Sequence, residues 1–244
     1  MFRWCSYCQS LMGESAPFDD YRLTHGICGA CSSRMLDGDE AIAKGEVVFR
    51  SLFAAAKVGD LSLCDELTDE TLAMGWKPSD VAVGLIQPAL YEIGRLWGNG
   101  TVSVAEEHDF TAWCSRALGR LEDRSVAVPG PTRVLICLVD GNEHSLGARM
   151  TALFLRDRGI SARAVVGGLP DGEILDLCRR VSPAVLGLSV AETAGLLHAR
   201  AVVEAVRSLP RPPRVVVGGL AARSPKAEGL ERAFTAAEML PYLS

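Results

Sequence analysis

Long hydrophobic runs are missing from this 244-residue sequence. No apolar stretch approaches the ~20 residues that a membrane-crossing helix needs, so no membrane association is expected. The start, Met1-Phe2-Arg3-Trp4-Cys5, lacks the apolar core of a signal peptide, which makes the cytoplasm the expected compartment. Clustered basic charge is missing too. The formal net charge is −5, and the one arginine-bearing stretch, Arg207 to Arg214, is short and broken by prolines. A phosphate-binding stripe is therefore absent, and direct contact with nucleic acid is not expected. No repeat, low-complexity tract or lengthy disordered segment stands out. Catalytic constellations are also lacking: Glu106 and Glu107 are neighbours on a helix and cannot face each other as an acid–base pair, and Ser189 has no activating base near it in sequence. These absences describe a soluble globular protein that binds rather than catalyses.

What is present divides into unlike parts. At 244 residues and 48% hydrophobic content, one or two compact domains with real cores are affordable. Of the eight cysteines, Cys64, Cys114, Cys137 and Cys178 lie singly within apolar patterns and read as small buried hydrophobes in a reducing compartment. The other four form a pattern over residues 1–36: Cys5-x2-Cys8, nineteen residues, then Cys28-x2-Cys31. Two such knuckles are the ligand set of a closed tetrahedral zinc site, as in a zinc ribbon. A disulfide pair or an iron site is the other reading. So small a segment, rich in turn residues such as Gly13, Ser15 and Pro17, needs a metal or crosslink to fold. His25 either replaces a thiolate or is a solvated turn residue. A closed four-thiolate site offers no open position for chemistry, so its expected role is structure or partner docking.

Residues 39–121 read as four helices joined by short loops, an up-and-down bundle. The first spans about 40–58 and the second about 61–75; Lys77-Pro78-Ser79-Asp80 launches the third, and Ser103 caps the fourth with Glu106 closing a capping box. Residues 122–132, containing Pro129-Gly130-Pro131, are a linker. From 133 to 244, apolar strands at about 133–139, 162–166, 184–188 and 214–217 alternate with helices at about 145–158, 171–181 and 192–208. That alternation predicts an α/β unit with a mainly parallel sheet covered on both faces. The final residues, 230–243, supply at most a short strand near Ala233-Phe234 and a last helix.

Three landmarks sit at strand ends in this α/β unit. His144 follows the first strand in Asp140-Gly141-Asn142-Glu143-His144-Ser145-Leu146-Gly147; Ser189-Val190-Ala191 ends the third; Gly218-Gly219 closes the fourth. Ligands of open α/β sheets bind at such carboxyl ends. The series resembles the His-x-x-Gly, Ser-x-Leu and Gly-Gly motifs of the cobalamin-binding domains of methionine synthase, corrinoid proteins and light-sensing B12 regulators, over residues 132–244. The resemblance implies a flavodoxin-like or Rossmann-like fold, His144 as lower axial cobalt ligand, and Ser189 with Gly218 and Gly219 lining the slot for the displaced nucleotide tail. Two positions depart from the family pattern: its acidic residue before the histidine is Asn142 here, and the Leu of Ser-x-Leu is Ala191. A carboxylate behind an axial histidine raises its basicity, so Asn142 implies a weaker or more exchangeable bond unless Asp140 or Glu143 substitutes.

Within the bundle, Trp97, nine residues and then Glu107-His108 are similar to the cap of CarH-type, adenosylcobalamin-dependent light-sensing repressors. The resemblance implies that Trp97, Glu107 and His108 enclose the upper adenosyl group. A second histidine follows the tryptophan in that family; Gly98 stands here, which leaves His108 or His198 for any second imidazole, although His198 reads as a packing or surface residue of its helix. CarH-type repressors begin with a basic helix-turn-helix domain, where this sequence has the cysteine module. The expected function is a B12-dependent sensor, signalling by light- or ligand-driven repacking to a protein partner in transcription or signalling, with adenosylcobalamin or another cobalamin and zinc as cofactors. Homo-oligomers are compatible with it. The alternatives are a corrinoid methyl carrier of a methyltransferase system and a haem-binding variant.

Overall fold

The computed structural model describes residues 1–5, 11–17, 23–26, 28 and 44–243, which group into two compact units, Met1–Arg124 and Ser125–Ser244. In the first unit, β1 (Phe2–Cys5) is the middle of three short strands, antiparallel to β2 (Leu11–Glu14) and parallel to β3 (Leu23–Gly26). Four helical rods follow, placed as the periodicity predicts: α1 (Lys44–Lys57), α2 (Leu61–Ala73), a third rod from Pro78 to Gly98, and α5 (Val104–Arg124). The third rod is interrupted. It begins as α3 (Pro78–Val81), passes through a π-helical turn over Ala82–Ile86, and continues as α4 (Gln87–Gly98).

Local chemistry sets the boundaries. Asp60 caps α2 by accepting from the Leu63 N–H at 3.0 Å, and Pro78 opens α3, where a missing N–H costs nothing. At α5 the capping box closes both ways: Ser103 N–H donates to Glu106 Oε2 at 2.8 Å and Glu106 N–H to Ser103 Oγ at 3.3 Å. Leu52, Cys64, Leu85, Ile86, Ile93, Phe110, Trp113, Leu118 and Leu121 form the buried interior.

The π turn has a visible cause, which periodicity could not show. Trp4 of β1 is fully buried, its indole N–H donates to the Gly84 carbonyl at 3.2 Å, and its ring lies so close that a Cβ at Gly84 would sit 2.0 Å from it. Trp76 adds a ring contact at 4.9 Å. The bulge and the absent side chain together admit a tryptophan side chain from 80 residues away in sequence. Cys5, next along β1, is buried, and the Cys28 N–H donates to its Sγ at 3.4 Å. Cys8 and Cys31 of the four-cysteine pattern lie outside the described residues. His25 stands on β3 opposite Trp4, so its backbone belongs to a strand and not to the turn read from sequence.

The second unit is the predicted doubly wound sheet. Strands β4 (Val134–Val139), β5 (Ala162–Leu169), β6 (Val185–Ser189) and β7 (Arg214–Gly218) are all parallel, in the order β5-β4-β6-β7. Helices α6 (Leu146–Arg156), α7 (Asp171–Val181) and α8 (Leu196–Val206) connect them. Every residue of β4 is buried, as a central strand covered on both faces must be. The chain then ends in 3-10 turns, the last over Ala237–Leu243, with a single bridge pairing Val217 and Arg232 in place of a short strand. Burial pushes the Cys64 and Cys137 thiols up to about 12 and Cys178 up to about 11, and raises Cys114 well above its usual value. All four are inert apolar fillers at neutral pH, as their sequence setting predicts. Among the described residues no helix is long and apolar enough to cross a membrane.

Candidate functional site

Strand order places the site. The connection from β4 leads to β5 on one side, while β6 lies on its other side, so the topological switch falls between β4 and β6. A crevice at such a switch is where doubly wound sheets bind ligands. A cleft of about 450 Å³ opens there, lined by the loop after β4, which carries Asn142 and His144, by Val190 to Glu192 after β6, and by Gly195 and His198 at the start of α8.

His144 is exposed, and its ring makes no hydrogen bond among the described residues, which leaves an imidazole nitrogen for a metal. The backbone beneath it is held firmly. Asn142 is 6% exposed; its Nδ2–H donates to the Ser189 carbonyl at 2.8 Å, and its Oδ1 accepts from the His144 N–H at 3.0 Å. The expectation drawn from a family carboxylate behind the ring is thus changed in kind. Asn142 faces the main chain of His144, not its imidazole, and joins the histidine loop to the strand end bearing Ser189. Neither Asp140 nor Glu143 bonds the ring; both are exposed on the cleft.

The glycines of the motifs separate into two kinds. A Cβ on Gly147 would meet nothing within 4 Å, so the fold does not require glycine there and room for a bulky ligand remains. Gly219 has φ +90° and a Cβ on it would lie 2.4 Å from the Val190 carbonyl, so its glycine is required by the approach of two strand ends. Gly218 sits beside it, its carbonyl accepting from the Val190 N–H at 3.0 Å. A residue that sequence reasoning missed is Gly168: a Cβ there would come within 2.9 Å of the Val139 carbonyl and the Gly141 N–H nitrogen, so the end of β5 packs directly against the turn leading to Asn142. The signal was present as Val165-Val166-Gly167-Gly168-Leu169, which repeats the Val216-Val217-Gly218-Gly219-Leu220 motif at another strand end.

In the helical unit, Trp97 ends α4 half-exposed, and Glu107 and His108 lie in the first turns of α5, so all three stand at one end of the helices. Glu107 accepts from Thr111 Oγ1 at 2.7 Å and lies 3.6 Å from His108 Nε2. A Cβ on Gly98 meets nothing within 4 Å, so that surface is open. His198 is a partly exposed residue of its helix, as read from sequence. It lines the cleft beside His144, and its Nδ1 lies 3.2 Å from Asp171 Oδ1. Among the described residues no three His, Cys, Asp or Glu side chains converge as a metal cluster.

These donor residues fit a large planar metal cofactor: one unencumbered imidazole, an open glycine beside it and a cleft at the strand ends. Residues 48–122 match the family model of the B12 binding domain. The chain is 28% identical over 178 residues to the HTH-type transcriptional repressor CarH of Myxococcus xanthus, covering 72% of this chain and 59% of CarH. It is 27% identical over 140 residues to the HTH-type transcriptional repressor CarA of the same organism, covering 57% of this chain and 47% of CarA. The chain thus spans about half the length of these relatives. In fold it is similar to the monomethylamine corrinoid protein of Methanosarcina barkeri, with a TM-score of 0.69 at 16% identity over 82% of this chain and 98% of that one. Residues 48–122 thus match the B12 binding domain, and the chain resembles the CarH and CarA repressors over a longer span.

Proposed function

We propose that this protein is a B12-dependent sensor, with His144 as lower axial ligand of adenosylcobalamin and a protein partner as the receiver of its signal. The observation that carries the reading is the His144 imidazole, exposed and without a hydrogen bond among the described residues at the carboxyl end of β4, in a chain whose residues 48–122 match the B12 binding domain. Bound cobalamin would supply a light-labile or exchangeable bond at its upper face. The residues of the chain do the rest. His144 would hold the cobalt through an imidazole nitrogen; Asn142 sets the loop from which it would do so; Ser189 and the turn at Gly218 and Gly219 would receive the nucleotide tail. Trp97, Glu107 and His108 cover the upper group, an aromatic face for its plane and a carboxylate for its hydroxyls. Loss of the group they would pack around would shift a two-state packing equilibrium, which a partner would read. Cys5, Cys8, Cys28 and Cys31 would hold zinc in a docking module. The corrinoid fold is shared with methyl carriers, so the architecture does not choose between the two roles; the half-exposed Trp97 favours the sensor, since a methyl group needs no aromatic shelter.

The test is an absorbance spectrum of the purified protein reconstituted in the dark with adenosylcobalamin, before and after green illumination, for wild type and His144→Ala. A cobalamin spectrum that changes with light and is altered or lost in His144→Ala is expected. Wild type that retains no cobalamin overturns the assignment, and a Soret band after incubation with haem would then identify the haem-binding alternative.

A further inference from the structure

We propose that Trp4 is a positioning residue for Trp97: it locks a joint in the third rod and so fixes where α4 holds Trp97 against the upper group of the cofactor. The inference rests on the cobalamin reading and adds to it a residue from the N-terminal strands. Residues 79–86 are buried without interruption, so the rod has no solvent face there. A helix segment covered all round needs a second neighbour besides the other helices, and β1 supplies it. Phe2 and Trp4 are buried with Arg3 exposed between them, and the Trp4 ring occupies the place that a side chain at Gly84 would take.

The rod is jointed at this point by its own sequence. The Gln87 N–H bonds to the Ala82 carbonyl five residues back, as a π turn requires. Pro88, four residues after Gly84, has no N–H to give the Gly84 carbonyl an α-helical bond, and its ring crowds that carbonyl. The Trp4 indole N–H supplies the donor instead, at 3.2 Å, while Trp76, just before α3, holds the ring with a contact at 4.9 Å. Proline and π turns are where helices bend, so the indole selects one bend out of a range. Trp97 lies at the far end of the 12-residue α4. A change of about 10° at the joint moves the end of such a helix, about 18 Å long, by about 3 Å. A gap of about 1 Å already forfeits up to half of a dispersion contact, so Trp97 covers the upper group only while the joint is locked.

The experiment titrates wild type, Trp97→Ala, Trp4→Ala, Gly84→Ala and Trp4→Phe in the dark with adenosylcobalamin and with methylcobalamin, which has no upper nucleoside. Gly84→Ala keeps Trp4 but bars its ring, so it unlocks the joint from the other side; urea unfolding shows which variants fold. Trp97→Ala is expected to lower the preference for adenosylcobalamin about two- to tenfold, the worth of one aromatic contact. Trp4→Ala and Gly84→Ala lose as much, with methylcobalamin unchanged. Trp4→Phe, which leaves a ring in the joint without the N–H, loses part of the preference and carries the test if the other two do not fold. An unchanged preference in every folded Trp4 and Gly84 variant, where Trp97→Ala loses it, overturns the positioning role alone. An equal loss for methylcobalamin shows general loosening and overturns it too. If Trp97→Ala changes nothing, Trp97 is no cover and Trp4 has nothing to position; if wild type holds neither cobalamin, the cobalamin reading itself falls.

Discussion

Asn142 shows how one side chain can look like a defect in sequence and prove structural in place. Its amide both donates to the Ser189 carbonyl and accepts from the His144 N–H, a pairing that needs a donor and an acceptor on the same group. A carboxylate supplies only acceptors. Asn142→Asp, which would restore the family residue, is therefore expected to destabilise this protein by about 1–3 kcal/mol, because a buried charge would face a carbonyl that has lost its donor. Urea unfolding at pH 7 measures it; equal stability would mean that the Ser189 carbonyl finds water instead. His198 offers the complementary lesson. Its partner Asp171 is 27 residues away on another helix, so its setting in the cleft is invisible to any reading of its own helix.

Between elements, a polar junction joins α2 and α5 across their apolar interface. Trp113 of α5 is 1% exposed, and its indole N–H donates to Asp65 of α2 at 2.7 Å, where Arg120 also pairs with the carboxylate. Burial pushes the Asp65 carboxyl up, but the hydrogen bonds from Arg120 and Trp113 outweigh that and hold it below its ordinary value. The ion pair is half in solvent and contributes little, so the buried indole N–H carries the cost. Asp65→Ala is expected to lose about 1–3 kcal/mol at pH 7, read by urea unfolding followed at the tryptophan fluorescence. The sign with pH follows from the depressed value: the contribution is fully present above the unfolded carboxylate pKa near 4 and is lost as pH falls through the lower folded value. The difference between wild type and Asp65→Ala should therefore shrink in part below about pH 4, the remainder being the bond from the indole N–H, which a protonated carboxyl still accepts; a difference unchanged between pH 7 and pH 2 would show that the charge contributes nothing.

For the whole molecule, the contacts divide the chain at Arg124–Ser125. The residues after α5 run without helix or strand to β4, and Val126 is 81% exposed. Loops of this kind are where proteases cut first, because the chain can enter an active site without unfolding a core. Limited digestion with thermolysin is expected to make its first cut, within residues 44–243, in the segment 125–133, releasing fragments that begin there by mass spectrometry. A first cut inside α5 or β4 would show that this boundary is not the weakest point.

The sequence by itself determined what depends on local pattern. Helical periodicity located the rods of the first unit, the Ser103/Glu106 box marked the start of α5, and apolar runs followed by polar loops marked β4, β5, β6 and β7, because those signals lie within a few residues of the elements they specify. It also singled out His144, Ser189 and the Gly218-Gly219 turn as residues at strand ends. Only the tertiary structure decided what depends on distant approach. Trp4 meets Gly84 across 80 residues and Asn142 meets Ser189 across 47, and neither contact has a local signature. The β5-β4-β6-β7 order creates the cleft, places Asp171 behind His198, and gives Gly219 its intramolecular reason for being glycine. The physical reason is the same in each case: propensity and spacing act along the chain, whereas which polar group a buried donor finds, and which backbone a Cβ would strike, is settled only when remote segments pack.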